Sequence, residues 1–423
     1  MNLFKRLLIH NWRQFGRVEV NFHPRLTVFT GANGAGKTTI LHLLNRHWGW
    51  NIPYVSSPRF TKKGVRKYWA GFWDDESVEC PPSDTPPDDG PAESPPSYTP
   101  RDDIGEIEYL AHPQARLTVP RDVTETFAVE ISPQPSLPGV YIPSHRPLYI
   151  HQKVEDIPTN VDARQQLFDV YLTEIRSRWA VNQRVRSPSH MLKRSLISLA
   201  TFGYGSEAVV PNEEARQTFE GFQSVLSTIL PESLGFQRLR VRIPDVILET
   251  GTGEFAFDAV SGGISALIDI AWQVYLYSTL SDEFVVAIDE PEAHLHPELQ
   301  RSVLPNLLQA FPKAQFIVAT HNPFVVGSTK DSAVYVLRYG DDRRVYSHLL
   351  DQVNKAGTAN ELLRDVLGLE STSALWVEGA MREVLDRFKH RPLSPEMLED
   401  LRRELDRIGL ARYLPETLKG LEP

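Results

Sequence analysis

Apolar and polar residues alternate in two short runs near the start of the chain, LFKRLLI (3–9) and RVEVNF (17–22). A period of two predicts half-buried strands. A third run, RLTVFTG (25–31), is mostly apolar and stops at a glycine, as a buried strand entering a turn would. The spacing then changes: Ile40, Leu41, Leu43 and Leu44 fall on one side of a helix. Further strands are predicted at IGEIEYL (104–110), ARLTVP (115–120) and FAVEI (127–131). A helix over 163–179 carries Leu167, Val170, Tyr171 and Ile175 on one side, and a second helix covers 213–230. Between those two helices a poorly patterned segment reaches about Gly205. Strands RLRVRI (238–243) and VILET (246–250) precede a long amphipathic helix, ISALIDIAWQVYLYSTL (264–280). Two strongly apolar strands, EFVVAIDE (283–290) and AQFIVATH (314–321), follow, with a helix between them. Near the end Ser394 suits an N-cap and Pro395 the first helical position, with Leu398, Leu401, Leu405 and Ile408 at helical spacing. Together with VEGAMREVLDRFKH (377–390) they predict a helical hairpin.

Strands alternating with helices make this an α/β chain. The boundaries predicted are an N-terminal lobe over 1–160, a helical insert over 161–235, a C-terminal lobe over 236–350 and a C-terminal helical region over 351–423. Composition changes this picture at one place. Eight of the 32 prolines fall between Pro81 and Pro100, with Asp84, Asp88, Asp89 and Glu93 among them. Such a stretch offers little apolar surface to offset ordering, and proline blocks helices and ladders alike. The segment from about 74 to 103 is therefore expected to be a disordered-looking insertion in the first lobe.

A net charge of −9 argues against wholesale coating of nucleic acid. Cys80 is the single cysteine, which excludes a disulfide framework and a cysteine-based zinc site. No apolar run reaches the 18 residues or so that a spanning helix needs, and MNLFKRLLIHNW lacks a signal-peptide core. A cytoplasmic protein without membrane contact is expected.

The chemistry is concentrated in Gly31-Ala32-Asn33-Gly34-Ala35-Gly36-Lys37-Thr38, which matches the phosphate-binding loop G-x4-G-K-[ST]. Its glycines let backbone amides curl round an anion, Lys37 reaches the terminal phosphates and Thr38 offers a hydroxyl to magnesium. A strand precedes the loop and a helix follows, so the helix N-terminus faces the phosphates. The strand FVVAI ends in Asp289-Glu290; the first carboxylate would hold magnesium and the second polarise the attacking water. Ser261-Gly262-Gly263 opens a long helix as a second anion receptor. Pro291-Glu292-Ala293-His294-Leu295-His296-Pro297 follows Glu290 directly, and Thr320-His321-Asn322-Pro323 comes after the next apolar strand.

In this order GANGAGKTT, DAVSGG, VVAIDEPEAHLHP and ATHNP resemble the ABC-type ATPase heads of the SMC, RecF and overcoming-lysogenization-defect group. PEAHLHP and VYIPSHRPLYIHQ (140–152) resemble most closely the AAA-family ATPases of bacterial antiphage systems, those of Septu and, more loosely, of PARIS systems. The resemblance implies that Gly31, Asn33, Gly34, Ala35, Gly36, Lys37, Thr38 and Thr39 hold ATP, and that Thr38 and Asp289 hold Mg2+. It makes Glu290 the residue at the catalytic water and His321 the switch histidine. Ser261, Gly262 and Gly263 would contact the γ-phosphate on an opposing subunit, in a head-to-tail homodimer or higher homo-oligomer. It also offers Gln152 as a magnesium-sensing glutamine and Arg13 as an N-terminal nucleotide contact. The role implied is a sensor or regulatory ATPase of a defence module that controls a separate effector, a nuclease or toxin. A RecF-like DNA repair ATPase and an ATP-bound scaffold with little turnover are the alternatives.

Only 222 residues separate Thr38 from Ser261, too few for the coiled-coil arms of SMC proteins. Trp376-Val377-Glu378-Gly379 resembles the opening of a TOPRIM nuclease domain, but no Asp-x-Asp follows it to complete a two-metal site. A helix start is expected there, and no nuclease activity from this chain alone. His294 and His296 are read as structural rather than as a zinc pair. Two basic clusters run against the net charge: Arg59, Lys62, Lys63, Arg66 and Lys67 among Phe60, Tyr68 and Trp69, and Arg176, Arg178, Arg184, Arg186, Lys193 and Arg194. They leave nucleic-acid contact open.

Overall fold

The computed structural model describes residues 3–60, 66–69, 101–121, 123–146, 149, 151–159, 164–181, 187–369, 371, 373–388 and 394–414. Residues 74–100 of the expected insertion and Lys62 and Lys63 of the first basic cluster lie outside these residues, whereas residues 101–103 already belong to a strand. Two compact units are present, Met1–Leu362 and Leu363–Pro423.

The first unit is built on one 11-stranded sheet. Its strands in chain order are β1 (Phe4–Trp12), β2 (Phe15–Asn21), β3 (Leu26–Gly31), β4 (Arg101–Tyr109), β5 (Ala115–Pro120), β6 (Glu130–Ser132), β7 (Gly139–Ile142), β8 (Phe284–Asp289), β9 (Ala314–Ala319), β10 (Ala333–Tyr339) and β11 (Val345–Leu349). Across the sheet they run β6-β5-β4-β1-β2-β11-β10-β3-β9-β8-β7. β7, β8, β9, β3 and β10 are parallel neighbours, whereas β1, β2, β4, β5 and β6 pair antiparallel. β3, β8 and β9 are buried at every residue, which is why they read as apolar runs and not as alternation. The expected lobes thus share one sheet, with strands from both ends of the chain interleaved.

The helices are α1 (Lys37–Leu44), α2 (Arg164–Val181), α3 (Pro188–Tyr204), α4 (Glu213–Ile229), α5 (Gly262–Ser278), α6 (Pro297–Ala310) and the short α7 (Pro323–Val326). α3 occupies the stretch whose pattern predicted nothing. Ser187 caps it by accepting from His190 N, and Ser189, His190, Lys193 and Ser198 are buried beside its leucines. Buried polar side chains erase the apolar stripe that identifies a helix. The sequence reading also assigned no strands at β10 and β11, which lie in the middle of the sheet. A separate three-stranded sheet combines Phe236–Arg242, Asp245–Thr250 and Gly253–Ala256.

The second unit is the expected hairpin of Leu375–Phe388 and Pro395–Arg407. Val377, Val384, Phe388, Met397, Leu401 and Leu405 form its small core, and Ser394 caps the second helix by accepting from Met397 N. Glu378 and Gly379 lie inside the first helix, as expected for a helix start and unlike the strand end that a TOPRIM opening requires. The boundary falls after Leu362, so the short helical turns at Gln352–Lys355 and Ala359–Glu361 go with the sheet unit. Among the described residues no helix is long and apolar enough to cross a membrane.

Candidate functional site

Parallel strands present their carboxyl ends along one edge, where open α/β sheets bind ligands. Pairing sets Asp289 of β8 opposite Ala319 of β9, and Ala319 opposite Phe29 of β3. The loop after β3, the carboxylates after β8 and the Thr320-His321 turn after β9 therefore share this edge.

The glycines of the loop answer to their neighbours. Gly31 has φ +138°, and a Cβ there would lie 2.3 Å from the Leu337 carbonyl oxygen of β10. Gly36 has φ +95°, and its Cβ would lie 2.4 Å from the Phe15 ring. No side chain caps α1, and no acid stands in its first turn. Its leading amides are thus left for an outside acceptor, and an anion suits them best. Lys37 is buried and donates through Nζ to the carbonyls of Gly31 at 2.8 Å and Ala32 at 3.0 Å. Burial lowers the pKa of its ammonium against the pull of Asp289, Glu290 and Glu292. Tyr339 donates its hydroxyl to the Gly34 carbonyl at 3.1 Å. Asn33 is exposed, Ala35 is buried and Thr39 is half-buried.

Thr38 Oγ1 donates to Asp289 Oδ2 at 2.9 Å, so the two expected magnesium residues meet directly. Burial pushes the Asp289 carboxyl up to about 6, with adjacent Glu290 adding to the rise and the Thr38 hydrogen bond opposing it. A buried carboxylate next to a hydroxyl, both hard oxygen donors, fits magnesium. Glu290 Oε1 lies 3.0 Å from His321 Nδ1. The Glu290 backbone has φ +49°, a left-handed conformation for a side-chain-bearing residue. Behind it Thr320 donates Oγ1 to the buried carboxyl of Glu292, whose pKa burial raises. Asn322 caps α7 and donates to Gln300 Oε1 at 2.7 Å.

Other expected residues sit elsewhere. Ser261 caps α5, its hydroxyl accepting from Ile264 N at 3.4 Å, and a Cβ on Gly263 would meet the His294 carbonyl at 3.1 Å. That turn packs on its own chain's PEAHLHP segment, in which His296 caps α6 and His294 is exposed. The Gln152 side chain accepts from Ser187 N at 3.0 Å, and its carbonyl accepts from Lys193 Nζ at 2.7 Å. Lys193 also bonds Asp245 Oδ1 at 2.9 Å and Asp258 Oδ2. Its ammonium therefore lies against two members of the one metal-like cluster among the described residues, His151, Asp245 and Asp258. No hydrogen bond among the described residues ties Gln152 to Thr38 or Asp289. Arg13 is half-buried with φ +50°, its guanidinium 5.7 Å from the centre of the Tyr54 ring.

Three side chains of the second basic cluster are engaged internally. Arg176 donates to the Trp48 carbonyl, Lys193 is the buried cation just described, and Arg194 bonds Asp156. Sequence reasoning singled out no role for Arg146, which is buried and donates to the Glu290 carbonyl. Its signal was its place in the VYIPSHRPLYIHQ segment (140–152), just beyond a buried strand, where no residue spacing assigned it a role. Tyr339, at the end of β10, was missed with that strand.

Two family models match the chain: "AAA domain, putative AbiEii toxin, Type IV TA system" over residues 147–327, and "AAA domain" over residues 6–59. Among curated proteins, the Septu protein PtuA of Bacillus thuringiensis is 30% identical over 165 residues, 36% of this chain and 42% of that one. The "Retron Ec83 probable ATPase" of Escherichia coli is 32% identical over 135 residues, 29% of this chain and 24% of that one. The chain thus spans less than half the length of the curated relatives it matches. Of solved structures, the "SMC head domain from Thermotoga maritima" overlays 82% of this chain and 99% of its own at a TM-score of 0.40 and 14% identity, too loose a likeness to argue from.

Proposed function

We propose that this chain, an ATPase of the AAA/ABC type related to the Septu and retron defence proteins, hydrolyses ATP between two copies of itself and thereby controls a separate effector. The observation that carries this reading is the meeting of three segments at one sheet edge. Lys37 and the uncapped α1 amides would take the phosphates, and Glu290 would orient water beside His321. Magnesium, held by Thr38 and Asp289, would neutralise charge developing on the phosphates. A glutamate 3.0 Å from the imidazole can take a proton from water while the ring keeps its carboxylate turned to the site.

The Ser261 turn packs against the 291–297 segment of its own chain. A serine hydroxyl and glycine amides at the start of a 17-residue helix would instead serve the nucleotide of a second copy, head to tail. Such a dimer forms when ATP bridges the two surfaces and opens when phosphate leaves. An effector, a nuclease or a toxin, would read that change. For the DNA-repair alternative, Arg176, Lys193 and Arg194 of the second basic cluster are already bonded within the chain, while Arg184 and Arg186 lie outside the described residues.

Sizing by light scattering tests the reading. Glu290→Gln with ATP and magnesium is expected to gain at least one protomer's mass over its nucleotide-free form, and Lys37→Ala to gain none. An unchanged mass for the glutamine variant, with ATP shown to be bound, would rule out the sandwich.

A further inference from the structure

Glu290 is held in its left-handed conformation by three hydrogen bonds to its backbone. Its N–H donates to the Ala319 carbonyl at 2.8 Å. Its own carbonyl accepts from Ala293 N at 3.1 Å and from Arg146 Nη2. Arg146 is the one side chain among these partners, and it arrives from a position 144 residues earlier in the chain. A non-glycine residue in this region is strained and persists only where the surroundings impose it.

The arginine itself is 5% exposed, and its Nε and Nη1 have no hydrogen-bond partner among the described residues. A buried guanidinium that uses one of its donors is costly unless counter-charges surround it. Burial lowers its pKa, and the charges of Asp269, Glu292, Asp289 and Glu290 oppose that fall. Asp269 belongs to α5 and is itself fixed, accepting from Tyr171 of α2 and from Gln273 Nε2 at 2.9 Å. The cation itself is hydrogen-bonded to the backbone of Glu290.

We propose that Arg146 is the positioning residue for Glu290: its guanidinium clamps the Glu290 carbonyl and aims the carboxylate at the attacking water. It acts through the Glu290 backbone carbonyl. This rests on the ATPase reading above, and it adds a dependence of that site on a side chain 144 residues earlier in the chain. Without the clamp the turn after β8 is free to leave its left-handed state. The carboxylate then swings away from His321, and the phosphate loop remains as it was.

The test uses the full chain with Arg146→Met, which keeps volume and removes the donors, and Arg146→Lys, which keeps one charged donor. Misplacing a catalytic group by about 1 Å costs on the order of a hundredfold in rate. Arg146→Met is expected to lose about that much in kcat for phosphate release, with the ATP dissociation constant within about threefold of the parent. Arg146→Lys should fall between the two. Amide exchange over 289–295 should quicken in Arg146→Met, while β3, β8 and β9 stay protected. Equal kcat in the parent and a folded Arg146→Met overturns the inference and leaves the ATPase reading intact. So does a parallel loss of ATP affinity and rate, or a lysine variant no better than methionine. A parent chain that binds ATP and releases no phosphate removes the ATPase reading instead; the clamp is then decided by the exchange of 289–295, and unchanged exchange there overturns it.

Discussion

Lys37, Thr38, Asp289 and Glu290 were legible because each belongs to a short motif whose residue types and spacing follow from local geometry. The glycines beside them carry the same information in another form. At Gly36 the constraint is double: φ is +95°, and a Cβ would meet the Phe15 ring at 2.4 Å and Gln14 Nε2 at 2.6 Å. Phe15 is fully buried, so the ring has little room to move. Gly36→Ala is expected to cost roughly 1–3 kcal/mol of stability and to weaken ATP binding by at least about tenfold. Thermal melts and nucleotide titration read the two effects, and an alanine variant with parental ATP affinity would show that the loop tolerates another path. Arg146 was not legible, because its partner is the carbonyl of Glu290, 144 residues away. Residue spacing carries no record of which side chain reaches a distant backbone oxygen. Gln152 is the opposite case: an attractive residue type, whose side chain accepts from Ser187 N beside the Lys193 cluster.

Elements were legible where one face differed from the other. α5 and the two C-terminal helices read clearly, as did β3, β8 and β9 from their unbroken apolar runs. α3 failed because Lys193, fully buried between Asp245 and Asp258, stands where a hydrophobic residue marks a core face. β10 and β11 were legible in AVYVLRY and VYSHL, separated by a turn containing Gly340 and Asp341, but were not assigned. The join of α1 to the sheet has its own consequence. His47 follows α1, with Nδ1 2.9 Å from the Leu44 carbonyl and Nε2 2.8 Å from the Tyr109 hydroxyl of β4. Burial, its largest cause, lowers the pKa of His47 to about 4. A base held neutral in the fold adds full stability above the unfolded value of about 6.5 and loses it as pH falls toward 4. The loss is about 3 kcal/mol for this residue. Melts between pH 7.5 and 4 should show His47→Gln, which cannot take the proton, declining less steeply than the parent. Identical slopes would mean that this histidine does not report the acid limb.

For the molecule as a whole, charge was the least informative feature. The value of −9 sums acidic residues of the proline-rich stretch with cations that are in part internal counter-ions, as at Arg6 with Glu19, Glu106 and Glu108. Sheet order was beyond local pattern. Strands from residues 4–31 and from 284–349 interleave, which brings Lys37, Asp289 and His321 to one edge from three separated segments. That assembly is what turns a phosphate-binding loop into a site able to break a phosphate bond, and it is the central claim. Steady-state phosphate release with ATP and magnesium tests it most directly, comparing the chain with Glu290→Gln. The predicted result is turnover by the parent chain and a loss of at least about a hundredfold in the variant, which still binds ATP. Equal rates in the two, or a parent that binds ATP and never releases phosphate, would contradict it.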